Sequence, residues 1–353
     1  MTPLRSAGKA VLLSTLAATV GVGAVAGMVA ERALIGRNVR RGGRPGENFG
    51  SLHTEARPVL ADDGLHIHAE VEEAIAEHGD ITVVFAHGYA LTMDSFHFQR
   101  RDLRGIARLV FYDQRGHGRT PRGERNSHTL PQLASDLEQV IEQLAPTGDI
   151  VLVGHSMGGM TVQEFAKRRP ELFGTRIKAV VLVCTSPGGM SEVSLGLPGN
   201  LGSWLQQVAP MITTALHGKQ EIVDKSRETA SDLMLLFTRR YSFGTGATPE
   251  LTDFVASMHG RTKIEVITDF LHAIGEYDAH AQQALLGRVP VYVIGAEADL
   301  MTPPAHSRAL AAAIPGAELT MLPDTGHMLQ LERYVELNDL LNRALRRVRG
   351  ART

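Results

Sequence analysis

Short apolar runs alternating with amphipathic stretches predict an α/β fold, a mostly parallel sheet flanked by helices, with an inserted helical segment and an N-terminal apolar helix. Three observations carry that prediction. Runs of Val, Ile and Leu recur between helical patterns from Ile81 onward, one long interval lacks them, and Ala10 to Ala30 is uncharged throughout. A chain of 353 residues suits a large α/β domain or a domain bearing an insertion.

The uncharged stretch comes first. As a helix, residues 10–30 would span roughly 31 Å, the thickness of a bilayer core. Arg5 and Lys9 precede it, so a signal peptide cleaved after Ala24-Val25-Ala26 competes with an uncleaved anchor, and a soluble Ala/Gly-rich tail is a third reading. Arg32, Arg37, Arg40, Arg41 and Arg44 follow at once. Such a cluster resists translocation, which favours a membrane anchor with the folded domain on the cytoplasmic side. Gly23 and Gly27 have the spacing of a helix-pairing face, a weak signal in so small-residue-rich a run.

Residues 36–50, rich in Arg, Gly and Pro, read as a linker, and the folded domain is expected from about Ser51. Asp62-Asp63-Gly64 suits a hairpin turn, with Leu65, Ile67 and Ala69 alternating after it. Buried strands are expected at Ile81 to Phe85, Arg108 to Tyr112, Ile150 to Val153, Ala179 to Cys184, Val289 to Ile294 and Glu318 to Leu322. Leu130, Leu133, Leu137, Val140, Ile141 and Leu144 repeat at helical spacing behind a Thr129/Gln132 capping pattern. Leu331, Tyr334, Leu337, Leu341 and Leu345 predict a closing helix. Between Ser186 and Gly287 no strand run appears; Ile264, Ile267, Leu271 and Ile274 define one helical face there and Leu233 to Phe237 belong to another.

Composition narrows the function. Charged residues are 21% and the net charge is −2, without the basic excess that phosphate-backbone binding needs, so nucleic acid is not an expected partner. A single cysteine, Cys184, excludes an internal disulfide and a multi-cysteine metal site and reads as a core residue. His66, His68, His97, His117 and His306 lack ligand-type neighbours and read as surface or loop residues; no metal and no cofactor are expected.

The chemistry sits in Gly154-His155-Ser156-Met157-Gly158, between a predicted strand and a predicted helix. By chance a bare G-x-S-x-G occurs in about one such chain in six, so its force comes from that context. A sharp strand-to-helix turn needs Gly154 and Gly158 where side chains would clash, and it lifts the Ser156 hydroxyl above the sheet. With this motif the chain from about 51 to 348 resembles the α/β-hydrolase fold family.

The resemblance implies partners for Ser156 in the order Ser, acid, His. Asp299, after the strand ending at Ile294, stands where the family's acid stands, and His327, in Pro323-Asp324-Thr325-Gly326-His327, where its histidine stands. Glu297 and Asp324 remain rivals for the acid, and Asp299 has the alternative of capping the helix near Pro303. The family's other acid position, Thr185 to Ser191, holds no carboxylate. His87-Gly88-Tyr89 resembles the family's His-Gly-x loop, which implies oxyanion donors at the amides of Tyr89 and Met157, with Gly88 letting the backbone bend. Asp113-Gln114-Arg115-Gly116-His117-Gly118 resembles a family turn and reads as structural.

The resemblance therefore implies residues 51–185 and 288–353 as the hydrolase core and 186–287 as a helical cap over the serine. The expected activity is hydrolysis of a carboxylic ester or related acyl substrate through an acyl-enzyme. The cap's Leu, Met, Val and Phe content, with Trp204, suits a small apolar or lipid-like substrate. Thioester cleavage, peracid formation, aminopeptidase action and carbon–carbon hydrolysis use the same triad in related branches, whereas Ser156 argues against the epoxide hydrolase and haloalkane dehalogenase branches, which use a carboxylate nucleophile. A membrane-tethered binding protein without turnover is the reading from another class. Intact Ser156, Asp299 and His327 weigh against it.

Overall fold

The computed structural model describes residues 47–75, 81–190, 235 and 237–351. The expected apolar helix at 10–30, most of the 36–50 linker and Trp204 lie outside them. Among the described residues no helix is long and apolar enough to cross a membrane.

A short antiparallel pair opens the domain, β1 (Val59–Leu60) with β2 (His66–Ile67), Val59 opposite Ile67. Gly64 sits at φ 83° in the turn, and Asp63 accepts the Leu65 amide at 3.1 Å. The hairpin stops there. Ala69, expected in its second strand, instead starts β3 (Ala69–Glu72), an edge strand of the main sheet. Glu70 and Glu72 hid this strand from a hydrophobicity reading. Both are buried, and Arg100 reaches them at 2.6 and 2.8 Å, which removes the charge penalty of their burial.

The sheet has seven strands in the order β3-β5-β4-β6-β7-β8-β9: β4 (Ile81–Ala86), β5 (Arg108–Tyr112), β6 (Asp149–His155), β7 (Ile177–Val183), β8 (Val291–Ala296) and β9 (Glu318–Leu322). Every neighbouring pair is parallel except β3 with β5. β8 begins two residues later than the apolar run because Pro290 has no N–H for the ladder.

Alternate strand residues serve opposite faces, which is why the central runs are apolar throughout; β9, expected as a buried strand, is instead the far edge of the sheet, with Glu318 and Leu319 exposed and Leu322 alone buried. Val84, Leu152, Val180 and Val293 pack with α2 (Leu130–Leu144), α3 (Met157–Arg168) and α7 (Pro304–Ala313). Phe85, Val151, Val181 and Ile294 face α1 (His97–Leu103) and α9 (Tyr334–Gly350). Thr129 caps α2 by accepting the Gln132 amide at 3.2 Å.

The closing helix is broken. α8 (Leu329–Glu332) and α9 are separated by Arg333 at φ −125°, ψ 46°. The kink lets Leu331 join a cluster with Leu91 and Phe243 while Leu337 faces the sheet, so one apolar stripe serves two cores.

In the insertion, α4 (Pro249–Arg261) and α5 (Ile264–Gly275) are described, with α6 (Gln283–Leu286) returning to the sheet. The helix expected from Ile264, Ile267, Leu271 and Ile274 is present as α5, but its buried face is Val266, Phe270 and Ile274, and Ile264 is exposed. The helix carries two overlapping apolar stripes. Contact with Leu130, Leu133, Met157 and Met160 chose between them.

Candidate active site

β6 ends at His155 and α3 starts at Met157, so Ser156 makes the turn by itself, at φ 53° and ψ −120°. That backbone conformation is costly for a residue with a Cβ and persists only where surroundings enforce it. Here the Ser156 amide donates to Val183 O on β7 at 3.0 Å, and Thr185 Oγ1 donates to Ser156 O at 2.7 Å. The glycines explain themselves by distance. A Cβ on Gly154 would lie 2.6 Å from Gly158 O, one on Gly158 would overlap the Ala86 carbonyl of β4, and one on Gly159 would lie 2.6 Å from the Thr185 side chain. Met157 takes the first position of α3, where an N–H has no acceptor within the helix and the dipole is positive.

Asp299 and His327 meet after β8 and β9. His327 Nδ1 lies 2.9 Å from Asp299 Oδ2, and both residues are buried. Asp299 Oδ1 also accepts the amides of Met301 (2.8 Å) and Thr302 (2.9 Å), and Oδ2 accepts Thr302 Oγ1 at 2.8 Å. Burial works to raise this carboxyl, but the His327 ring and the bonds from His327 and Thr302 hold it below the usual carboxylate range. The rivals are elsewhere: Glu297 pairs with Arg308 at 2.6 Å on the surface, and Asp324 is exposed at φ 51°. Asp299 does not cap α7, whose cap position is Pro303.

The loop carrying His327 is held by residues that the motif did not reveal. Glu332 accepts the Gly326 amide at 2.7 Å and the Gly244 amide at 3.0 Å, and the Met328 amide donates to Ser242 O at 2.7 Å. The residue before Ser156 touches this group. The His155 ring lies 4.8 Å from the His327 ring, centroid to centroid.

His87-Gly88-Tyr89 follows β4. The Gln114 amide donates to His87 Nε2 at 2.9 Å, which leaves the proton on Nδ1 to donate to Gly88 O at 2.8 Å. The Ala90 amide likewise donates to His117 Nε2 at 3.1 Å, and His117 Nδ1 faces Arg115 O at 3.0 Å. Both rings are neutral in this arrangement. Burial pushes the His87 ring well below its ordinary value and that of His117 down to about 4. His117 is thus a loop histidine, though a wholly buried one, whereas His97, expected at the surface or in a loop, starts α1 and is buried against the Phe49 and Phe98 rings. The 113–118 turn acts as a support: Gln114 and His117 bind the 87–90 loop, while Asp113 accepts the Met93 and Arg119 amides at 2.8 and 2.9 Å.

Two described helices of the insertion pack over these elements. Tyr89 Oη donates to Ile267 O of α5 at 2.6 Å, and Val255 and Met258 of α4 cluster with Leu91 and Met328. His259, beside Met258, bonds Thr238 Oγ1 at 3.0 Å; burial, with His327 adding to it, pushes its ring down to about 4. Among the described residues no group of three or more His, Cys, Asp or Glu side chains is placed to hold a metal ion.

A family model described as the alpha/beta hydrolase fold matches residues 81–334. The chain belongs to the α/β-hydrolase fold family. Among its relatives, the dihydrolipoyllysine-residue acetyltransferase component of the acetoin cleaving system of Cupriavidus necator is 27% identical over 305 residues, 85% of this chain and 72% of that protein. Human epoxide hydrolase 4 is 29% identical over 152 residues, and the match spans 40% of its length. An esterase from Exiguobacterium antarcticum shares the fold with a TM-score of 0.66 at 16% identity, over 83% of this chain and 100% of that one.

Of the groups around the hydrolase site, Gly159, Thr302 and Glu332 had escaped the motif reading; His87 and His117 stood inside recognised motifs, and only the bonds they make were not legible. Gly159 left a local signal, as a third glycine after Gly154 and Gly158. Glu332 also reaches the distant Gly244 amide, whereas Thr302 bonds the nearby Asp299 without any motif that marks it.

Proposed function

We propose that this hydrolase cleaves a carboxylic ester or related acyl bond with Ser156 as nucleophile, His327 as general base and Asp299 as the group that orients it. The hydrogen bond between His327 Nδ1 and Asp299 Oδ2, at 2.9 Å, carries the reading. It places the imidazole proton on Nδ1 and leaves the Nε2 lone pair free to take the serine proton.

Attack of Ser156 Oγ on the carbonyl carbon transfers the hydroxyl proton to His327 Nε2. The oxyanion so formed is received by the amides of Met157 and Tyr89, each such donor being worth on the order of 3 kcal/mol of barrier. Collapse returns the proton to the leaving alkoxide and leaves an acyl-Ser156. Water, deprotonated by His327, then releases the acid and restores the hydroxyl.

An apolar acyl group, small or lipid-like, suits the surroundings: Met157, Met160, Val266 and Phe270 pack in one cluster, and Leu91, Met258 and Met328 in another. The names of the esterase from Exiguobacterium and the acetyltransferase component from Cupriavidus support acyl chemistry. Epoxide opening, which the human relative's name suggests, is disfavoured by a serine at the elbow. Hydrolysis of p-nitrophenyl esters from acetyl to palmitoyl, abolished in Ser156→Ala, is the expected result, with the preferred length reporting the pocket. A chain that hydrolyses none of them and whose Ser156 resists fluorophosphonate labelling sinks the reading in favour of a binding role. Labelling without ester turnover redirects it to thioester, peptide or carbon–carbon substrates.

We also propose that residues 10–30 anchor the chain in a membrane, with the hydrolase domain on the cytoplasmic face, on the strength of the arginines that follow them. The intact chain should stay with membranes at alkaline carbonate pH. Its recovery in the soluble fraction would refute the anchor.

A further inference from the structure

His155 is the last residue of β6, joined directly to Ser156 and wholly buried. Both ring nitrogens are used. Nε2 lies 2.9 Å from the main-chain carbonyl of His327, which can only accept, so Nε2 carries the proton. Nδ1 takes the bond from Gln330 Nε2 at 3.3 Å. The ring is therefore neutral with a defined tautomer, and burial, reinforced by His327, pushes its titration down to about 3.

The same ring touches the third part of the site. A Cβ on Gly88 would lie 2.8 Å from His155 Nδ1, so the 87–89 loop rests against the imidazole and has room there only as glycine. A strand end buried between helices is ordinarily filled by an aliphatic residue, and burying an imidazole is unfavourable unless its polar atoms are paired. Here the pairing runs to the residue that carries the base.

The geometry points to His155 as a positioning residue that holds the backbone of His327 and the Gly88 loop in one frame with Ser156. The inference rests on the serine-hydrolase reading above. A displacement of about 1 Å in such a constellation costs on the order of a hundredfold in rate, which gives the frame a measurable value.

The test compares the full-length protein with His155→Gln, His155→Asn and His155→Phe, reading kcat and KM on the preferred p-nitrophenyl ester, the rate of Ser156 labelling by a fluorophosphonate, and the melting temperature. Gln can set an amide nitrogen where Nε2 stood and offer its oxygen to Gln330; Asn is too short to reach the His327 carbonyl. The expected result is a Gln variant within about threefold of the parent in kcat and labelling, and Asn and Phe variants slower by about tenfold or more in both, with KM within about twofold. A folded Asn or Phe variant that labels and turns over like the parent overturns the role. If neither folds, the Gln variant decides, since loss of its kcat at an unchanged melting temperature overturns the role and retention supports it. Failure of the parent itself to label overturns the serine-hydrolase reading and the role with it, whereas equal labelling across folded variants overturns the role alone.

Discussion

The Tyr89 hydroxyl donates a 2.6 Å hydrogen bond to the main-chain carbonyl of Ile267, tying the loop after β4 to helix α5. The residue proposed to offer its amide to the oxyanion thus also holds a helix of the insertion. Burial raises the phenol's titration far above its ordinary value, so the hydroxyl remains a donor at any working pH. In Tyr89→Phe the ring stays and the bond goes, at a cost of about 1 kcal/mol in stability. We expect kcat to fall by about threefold with KM little changed, measured on the preferred ester; a kcat equal to the parent's would mean that α5 does not influence the loop.

Asp299→Asn should lower kcat by about 10³-fold or more without unfolding the protein. The amides of Met301 and Thr302 already donate to Oδ1, so an asparagine would keep its oxygen there and turn its NH₂ toward His327 Nδ1. The imidazole proton would then sit on Nε2, the wrong nitrogen. Glu297→Gln, which loses only a surface pair with Arg308, should retain parental kcat. Reversal of these two results in steady-state assays would move the acid role.

Gly158→Ala should destabilise the fold by about 3 kcal/mol, because its methyl overlaps the Ala86 carbonyl, a main-chain atom at the end of a central strand that has little room to yield. Urea denaturation followed by circular dichroism measures it. A midpoint equal to the parent's would contradict the packing described for the elbow.

His117 should make the protein acid-sensitive. Its folded value, about 4, lies below the ordinary 6.5, so the unfolded chain binds the proton more readily. Its stabilising contribution is complete above about pH 6.5 and is lost as the pH falls through that value toward 4, at up to about 1.4 kcal/mol per pH unit. Asp113, raised by burial to about 6, opposes this trend in the same range, so the comparison must isolate the histidine. Between pH 7.5 and 4.5 the melting temperature of His117→Gln should fall less steeply than that of the parent. Parallel curves would exclude the assignment.

Short-range chemistry determined much of this protein from its sequence. Runs such as Ile81 to Phe85 and Arg108 to Tyr112 fall in β4 and β5 because a strand covered on both faces needs unbroken apolar composition, and Thr129 capped α2 because a cap is a local bond. Gly154 and Gly158 announced the elbow, since a turn that tight excludes side chains. The tertiary structure decided what depends on distant partners. Glu70 and Glu72 became strand residues only because Arg100 reaches them, and α5 buried Val266 and Phe270 rather than Ile264 because Met157 and Met160 lay opposite. The contact of His327 with a carboxylate has a similar origin: the loops after β8 and β9 aim Glu297, Asp299 and Asp324 differently, and Asp299 is the one of the three that meets His327.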